Sequence, residues 1–110
     1  MTSNCLFCKI INKEIPAEFI YENENSLVFK DINPVAPTHL LVIPKKHFSS
    51  LKDLDSISSS QIIQCIQELT SKLGITDFRS VFNTGAKAGQ SVFHVHAHVI
   101  AGRELDWPPG

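Results

Sequence analysis

With 110 residues, 43% of them hydrophobic, the chain suits one compact domain over residues 1–110 with a core of modest size. Lys and Arg total 10 against 11 Asp and Glu, a formal charge of −1, which excludes the basic surface that grips a nucleic-acid backbone. No apolar run approaches a membrane span and the opening residues form no charged-then-apolar signal segment, so the sequence reads as a cytoplasmic protein without a membrane partner.

In chain order, Cys5 and Cys8 come first, as a C-x-x-C pair. In a reducing compartment such a pair is a metal half-site, a redox motif, or two inert buried thiols. Residues 7–12 are apolar on one side and read as a short helix, broken by Ile15-Pro16-Ala17. Residues 19–21 and 27–29 are candidate strands, the second ended by the turn Asp31-Ile32-Asn33-Pro34. Residues 38–44, apolar and β-branched, predict a third strand. Residues 57–73 form the main helix, with Ile62, Ile66, Leu69 and Leu73 at helical spacing and Gly74 just past its end. Fourth and fifth strands follow at residues 78–83 and 91–101, and residues 102–110 are a tail with Trp107 and a Pro-Pro pair. Short connections favour a five-stranded, mostly antiparallel sheet with one long and one short helix, an α+β fold.

The fifth strand carries the chemistry. His94, His96 and His98 alternate with Val95, Ala97 and Val99, so the imidazoles share one face and the apolar residues turn to the core. A single histidine is most often a satisfied polar residue. Three in alternation bury little apolar area and risk unpaired polar atoms, so a structural reason is hard to find. Two chemistries remain: a three-histidine zinc site, or an imidazole nucleophile whose neighbours donate hydrogen bonds.

The preceding loop, Asn83-Thr84-Gly85-Ala86-Lys87-Ala88-Gly89-Gln90-Ser91, is rich in small residues. It is either an ordinary hairpin loop or a cradle whose N–H groups meet an anion. Its position directly before the histidines favours the cradle, and with it phosphoryl chemistry at a nucleotide α-phosphate.

The run Gly89-Gln90-Ser91-Val92-Phe93-His94-Val95-His96-Ala97-His98-Val99-Ile100 resembles the signature of the histidine triad (HIT) family. Cys5 to Ile11, Ile15-Pro16-Ala17, the turn at Asp31, Ala36-Pro37-Thr38-His39 and Leu41 to His47 are also similar to segments of that family. The ending, Gly102-Arg103 to Trp107-Pro108-Pro109-Gly110, resembles the Hint branch, the histidine triad nucleotide-binding proteins. The residues just before Trp107 depart from that branch, which leaves the leaving-group preference open. The resemblance implies a homodimer whose two sheets join into one of ten strands. It also implies hydrolysis of purine nucleoside phosphoramidates, AMP or GMP joined to an amine, with no cofactor required for catalysis.

By the same resemblance, His96 is the nucleophile that forms a transient nucleotidyl-histidine. His98, and with it His94, would hydrogen-bond the phosphate, and His39 would sit beside the nucleophile and support its proton state. Gly89, Gln90 and Ser91 would cradle phosphate, Ser91 near the leaving group, with Asn83 on the phosphate side. Asp31 would accept from the ribose hydroxyls. Ile32, with Phe7, Ile10, Phe29 and Leu41, would form the slot for the base, and Trp107 would reach toward the other subunit's site.

Some relatives carry the Cys5/Cys8 pair and bind a structural zinc, with His47 and His94 completing the ligands; others lack both pair and metal. Under the first reading His94 orients the strand and leaves the phosphate alone. Three rivals share these residues: a non-catalytic nucleotide-binding or interaction protein, a dinucleoside polyphosphate hydrolase of the same family, and a zinc hydrolase using all three triad histidines.

Overall fold

The computed structural model describes residues 4–110; residues 1–3, part of the segment read above as lacking a signal, lie outside the described residues. A short helix, α1 (Leu6–Ile11), leads into a hairpin of β1 (Phe19–Glu22) and β2 (Ser26–Lys30), then β3 (Thr38–Pro44). The long helix α2 (Ser56–Lys72) precedes β4 (Phe78–Val81) and β5 (Ala97–Ala101), and short 3-10 turns occupy Leu51–Asp53 and Ala86–Ala88. The five strands form one sheet in the order β1-β2-β3-β5-β4, every neighbouring pair antiparallel.

The sheet separates two apolar layers. On one face α2 sets Ile62, Cys65, Ile66 and Leu69 against Val28, Leu40, Val42, Ala97 and Val99. On the other, Phe7 and Ile10 of α1 pack on Leu27, Phe29, Leu41 and Ile43. The period-2 alternation of β2 and β3 feeds both layers, which is why residues 39–44 are buried without exception. Each fully buried aliphatic side chain contributes about 1.5–3 kcal/mol of transfer free energy.

Capping fixes the ends of α2. The Asp55 carboxylate accepts the Ser58 N–H at 2.7 Å at its start. At its end the Ile75 N–H bonds the Thr70 carbonyl at 2.8 Å and the Gly74 N–H the Ser71 carbonyl at 3.2 Å. This paired closure needs a left-handed residue, and Gly74 supplies it at φ +69°. Leu73, expected on the apolar face, is the C-cap and stands 48% exposed, because the chain has already begun to turn away; Thr70 takes the last buried place.

The fifth strand is shorter than expected. Only Ala97–Ala101 pairs; residues 91–96 approach it without joining the ladder. The cause lies at the end of β3. Pro44 has no N–H to offer, its carbonyl is taken by the His94 ring, and the Val95 N–H goes to the Phe48 carbonyl at 2.7 Å. The fourth strand likewise stops at Val81, two residues before its expected end. No helix of the described residues is long and apolar enough to cross a membrane.

Candidate functional site

Although half of the histidine segment lies outside the strand, the alternation of faces holds. Val95, Ala97 and Val99 join the core beneath α2, and the three imidazoles turn to the α1 side. There the rings part into two neighbourhoods. His96 and His98, with ring centroids 5.1 Å apart, line a cavity of about 590 Å³, a volume in the range of small-ligand sites. His94, fully buried, turns instead toward Cys5, Cys8 and His47.

Hydrogen bonds fix where each ring carries its proton. His96 Nδ1 lies 2.8 Å from the His94 carbonyl oxygen, which can only accept, so Nδ1 holds the proton. Its Nε2 keeps a lone pair and has no hydrogen-bond partner among the described residues. Burial holds His96 below the ordinary histidine range, with the His94 carbonyl and the Asp31 carboxylate pulling weakly the other way. A neutral imidazole with a free Nε2 is a nucleophile at neutral pH.

A second chain of bonds sets His98. The Val35 N–H donates to His39 Nδ1 at 3.1 Å, so the His39 proton sits on Nε2. That N–H donates to His98 Nδ1 at 2.8 Å and faces Asp31 Oδ2 at 3.3 Å. His98 therefore carries its own proton on Nε2, as a donor. Burial above all, with the neighbouring His96 and His39 adding to it and Asp31 opposing, pushes His98 down to about 4. The same tautomer argues against a metal on Asp31, His39 and His98, although their ligand atoms cluster within 4.8 Å. Ligation would move the His39 proton onto Nδ1, against the Val35 N–H.

The cavity walls divide by chemistry. Phe7, Ile10, Phe29 and Leu41 make an apolar slot, Asp31 and Ser91 add polar groups, and Ile32 stands at the rim, 90% exposed. Among the lining residues that the sequence did not assign to the site, Ile15, Pro16 and Ala17 close the slot and Val92 stands beside Ser91. Their signal was an apolar loop that no helix or strand needed.

Other expected residues lie elsewhere. Gln90 is buried and engaged: its Oε1 accepts from the Gly85 N–H at 2.9 Å, and its Nε2 donates to the carbonyls of Ser49 at 2.7 Å and Val92 at 3.1 Å. It braces the loop from inside. Gly89 turns the chain at φ +94°, a left-handed conformation that favours glycine, with Asn83 packed against it; neither lines the cavity. His39 stands behind His98 and touches that ring, where the reading above set it beside the nucleophile. Trp107 is 81% exposed and outside the cavity of its own chain.

The second neighbourhood has the chemistry of a metal site. Cys5 Sγ, Cys8 Sγ, His47 and His94 present ligand atoms within 4.8 Å of one another. His94 Nδ1 lies 3.4 Å from Cys5 Sγ, 3.6 Å from Cys8 Sγ and 3.1 Å from His47 Nδ1, and Cys8 Sγ is 3.5 Å from His47 Nδ1. Tetrahedral zinc would set such atoms about 3.3 Å apart for two nitrogens and about 3.5 Å for nitrogen and sulfur. His94 Nε2 donates to the Pro44 carbonyl at 2.9 Å, leaving Nδ1 bare toward the cluster. Burial pushes His94 down to about 4, the neutral form a ligand requires. The residues fit the ion.

The model of the HIT domain matches residues 12–105. The chain belongs to the HIT family. An uncharacterised HIT-like protein of Synechocystis is 45% identical over 114 residues, covering all of both chains. The crystal structure of a HIT family hydrolase from Legionella pneumophila superposes with a TM-score of 0.91 at 45% identity, over 97% of this HIT chain and 100% of the other. A histidine triad nucleotide-binding protein from Candida albicans gives a TM-score of 0.83 at 34% identity, over 96% and 83%.

Proposed function

We propose that this HIT protein is a hydrolase of the Hint type that cleaves the P–N bond of purine nucleoside phosphoramidates. The observation that carries the reading is His96: buried, neutral, its Nδ1–H held by the His94 carbonyl, its Nε2 free in a wall of the cavity that also holds Asp31, Ser91 and His98. The hydrolase from Legionella and the nucleotide-binding protein from Candida, both close in structure, support it.

In the proposed mechanism the base lies in the slot of Phe7, Ile10, Phe29 and Leu41, and Asp31 accepts from the ribose hydroxyls. His96 Nε2 attacks phosphorus, the P–N bond breaks, and the amine departs with a proton drawn from solvent beside Ser91, which the attacking water of the second step gives back. His98 Nε2–H donates to a phosphate oxygen as charge builds. Water then attacks the nucleotidyl-histidine, releasing nucleoside monophosphate and restoring neutral His96. The Ser91 N–H adds to the phosphate side, whereas the Gly89 N–H is spent on the Ala86 carbonyl at 3.0 Å and Gly89 and Asn83 shape the loop behind the cavity.

Zinc on Cys5, Cys8, His47 and His94 would supply structure, tying α1 to the end of β3 and to the histidine segment. The protein would act as a homodimer that joins two sheets at an edge, bringing the exposed Trp107 to the partner's site.

The test is amine release from an adenosine phosphoramidate by the natural protein and by His96→Ala. Turnover that falls at least about a thousandfold in the variant, with AMP still bound, supports the proposal. AMP binding without turnover by the natural protein makes it a binder; equal turnover in both means another nucleophile.

A further inference from the structure

Two structural paths run from the Cys/His cluster to the nucleotide cavity. The first is His94 itself: its ring faces Cys5, Cys8 and His47, while its own carbonyl holds the His96 Nδ1–H at 2.8 Å. The second is Phe7, between the two cysteines in sequence. Its ring meets His96 edge-on with centroids 5.1 Å apart, meets Phe29 at 5.4 Å, and lines the cavity. Helix α1, which carries Phe7, is six residues long, too short to hold itself in water. Cys5 is its N-cap, with Sγ accepting the Cys8 N–H at 3.3 Å, so the cluster anchors the helix at its first turn.

We infer that the cluster is a positioning centre for nucleotide binding, so that metal held by Cys5, Cys8, His47 and His94 sets both the base slot and the bearing of the His96 ring. This rests on the nucleotide-site reading above and adds a thermodynamic coupling to it. A metal that served only global stability would leave nucleotide affinity unchanged wherever the chain stays folded. A coupled one must act both ways: metal tightens nucleotide and nucleotide tightens metal, by one factor.

The experiment uses the full chain, zinc as the metal and AMP as the nucleotide, at a temperature where circular dichroism shows the chelator-stripped protein folded. The expected result is AMP affinity at least about tenfold weaker in the stripped protein, restored by zinc, with zinc affinity raised by the same factor at saturating AMP. The imidazole ¹⁵N signals of His96, a single Nδ1–H tautomer when zinc-loaded, shift toward a mixture on stripping. Equal AMP affinity with and without zinc, or a chain that takes up no zinc, overturns the inference. If the stripped protein unfolds, Cys5→Asp keeps both an N-cap and a zinc ligand, and its zinc and AMP affinities must fall together; unchanged AMP affinity beside weakened zinc overturns the coupling. If AMP does not bind the zinc-loaded protein, the nucleotide reading fails, and the His96 signals alone decide whether the cluster controls that ring.

Discussion

His98 Nε2–H and the Gln90 amide show how little of a side chain's task its identity declares. His98→Asn keeps a donor but shifts its position, and a lost phosphate contact in a dry site typically costs about a hundredfold or more in turnover. Steady-state kinetics should show that loss in kcat with AMP affinity nearly intact. Gln90→Ala removes three internal bonds and strands the Gly85 N–H and the Ser49 and Val92 carbonyls. The expected cost is about 1–3 kcal/mol in urea denaturation, with faster amide exchange over residues 84–92. The strict spacing of histidines and valines made the shared face readable in the sequence. The divergence of His94 from His96 was not, because ring direction there follows from Pro44 withholding an N–H and offering its carbonyl, a contact 50 residues away in the chain.

Helix α2 shows what an element's sequence does declare. Its end and buried stripe follow from Gly74 and the spacing of Ile62, Ile66 and Leu69, legible from local chemistry, and the Asp55 carboxylate caps its start. The fate of Leu73 was decided by the geometry of the closing turn, which periodicity does not carry. Leu69→Ala should therefore cost about 2–5 kcal/mol, whereas Leu73→Ala, half-exposed, should stay within about 0.5 kcal/mol. Parallel urea melts with equal slopes would check the contrast; similar losses at both positions would mean that Leu73 is buried in solution. The short elements were harder to read. The two 3-10 turns carry no periodicity, and the role of Ile15-Pro16-Ala17 as a cavity wall depends on where α1 docks.

Taken whole, the molecule keeps neutral imidazoles beneath its surface, and acid should expose that. His98 stands at about 4 when folded against an ordinary value of 6.5. Above pH 6.5 neither state binds the proton and the stabilisation is complete. Between pH 6.5 and 4 the unfolded chain takes up a proton the folded chain refuses, so stability falls, by on the order of 3 kcal/mol for this group; below pH 4 its loss stops. Urea melts of metal-stripped protein from pH 7 to 4 should show that limb, and His98→Asn should make it shallower, leaving the part that the buried His94 and His96 supply. The exposed carboxylates Glu22 and Asp55, held below their ordinary values by Lys45 and by the Ser58 N–H, lose their contributions only under stronger acid. An identical limb in the variant would assign the acid sensitivity to other groups.

The strand order carries a consequence for how the chain comes to be folded. β5 lies between β3 and β4, yet it follows both in the chain. During synthesis β4 has no neighbour, and the buried row of Leu40, Leu41, Val42 and Ile43 keeps one bare hydrogen-bonding edge until the last strand is made. A partly made chain is thus open to pairing with its fellows. Closing that edge is also the event that brings His98 opposite Leu41, so the nascent polypeptide gains its protection from aggregation and the His98 wall of its cavity in the same step.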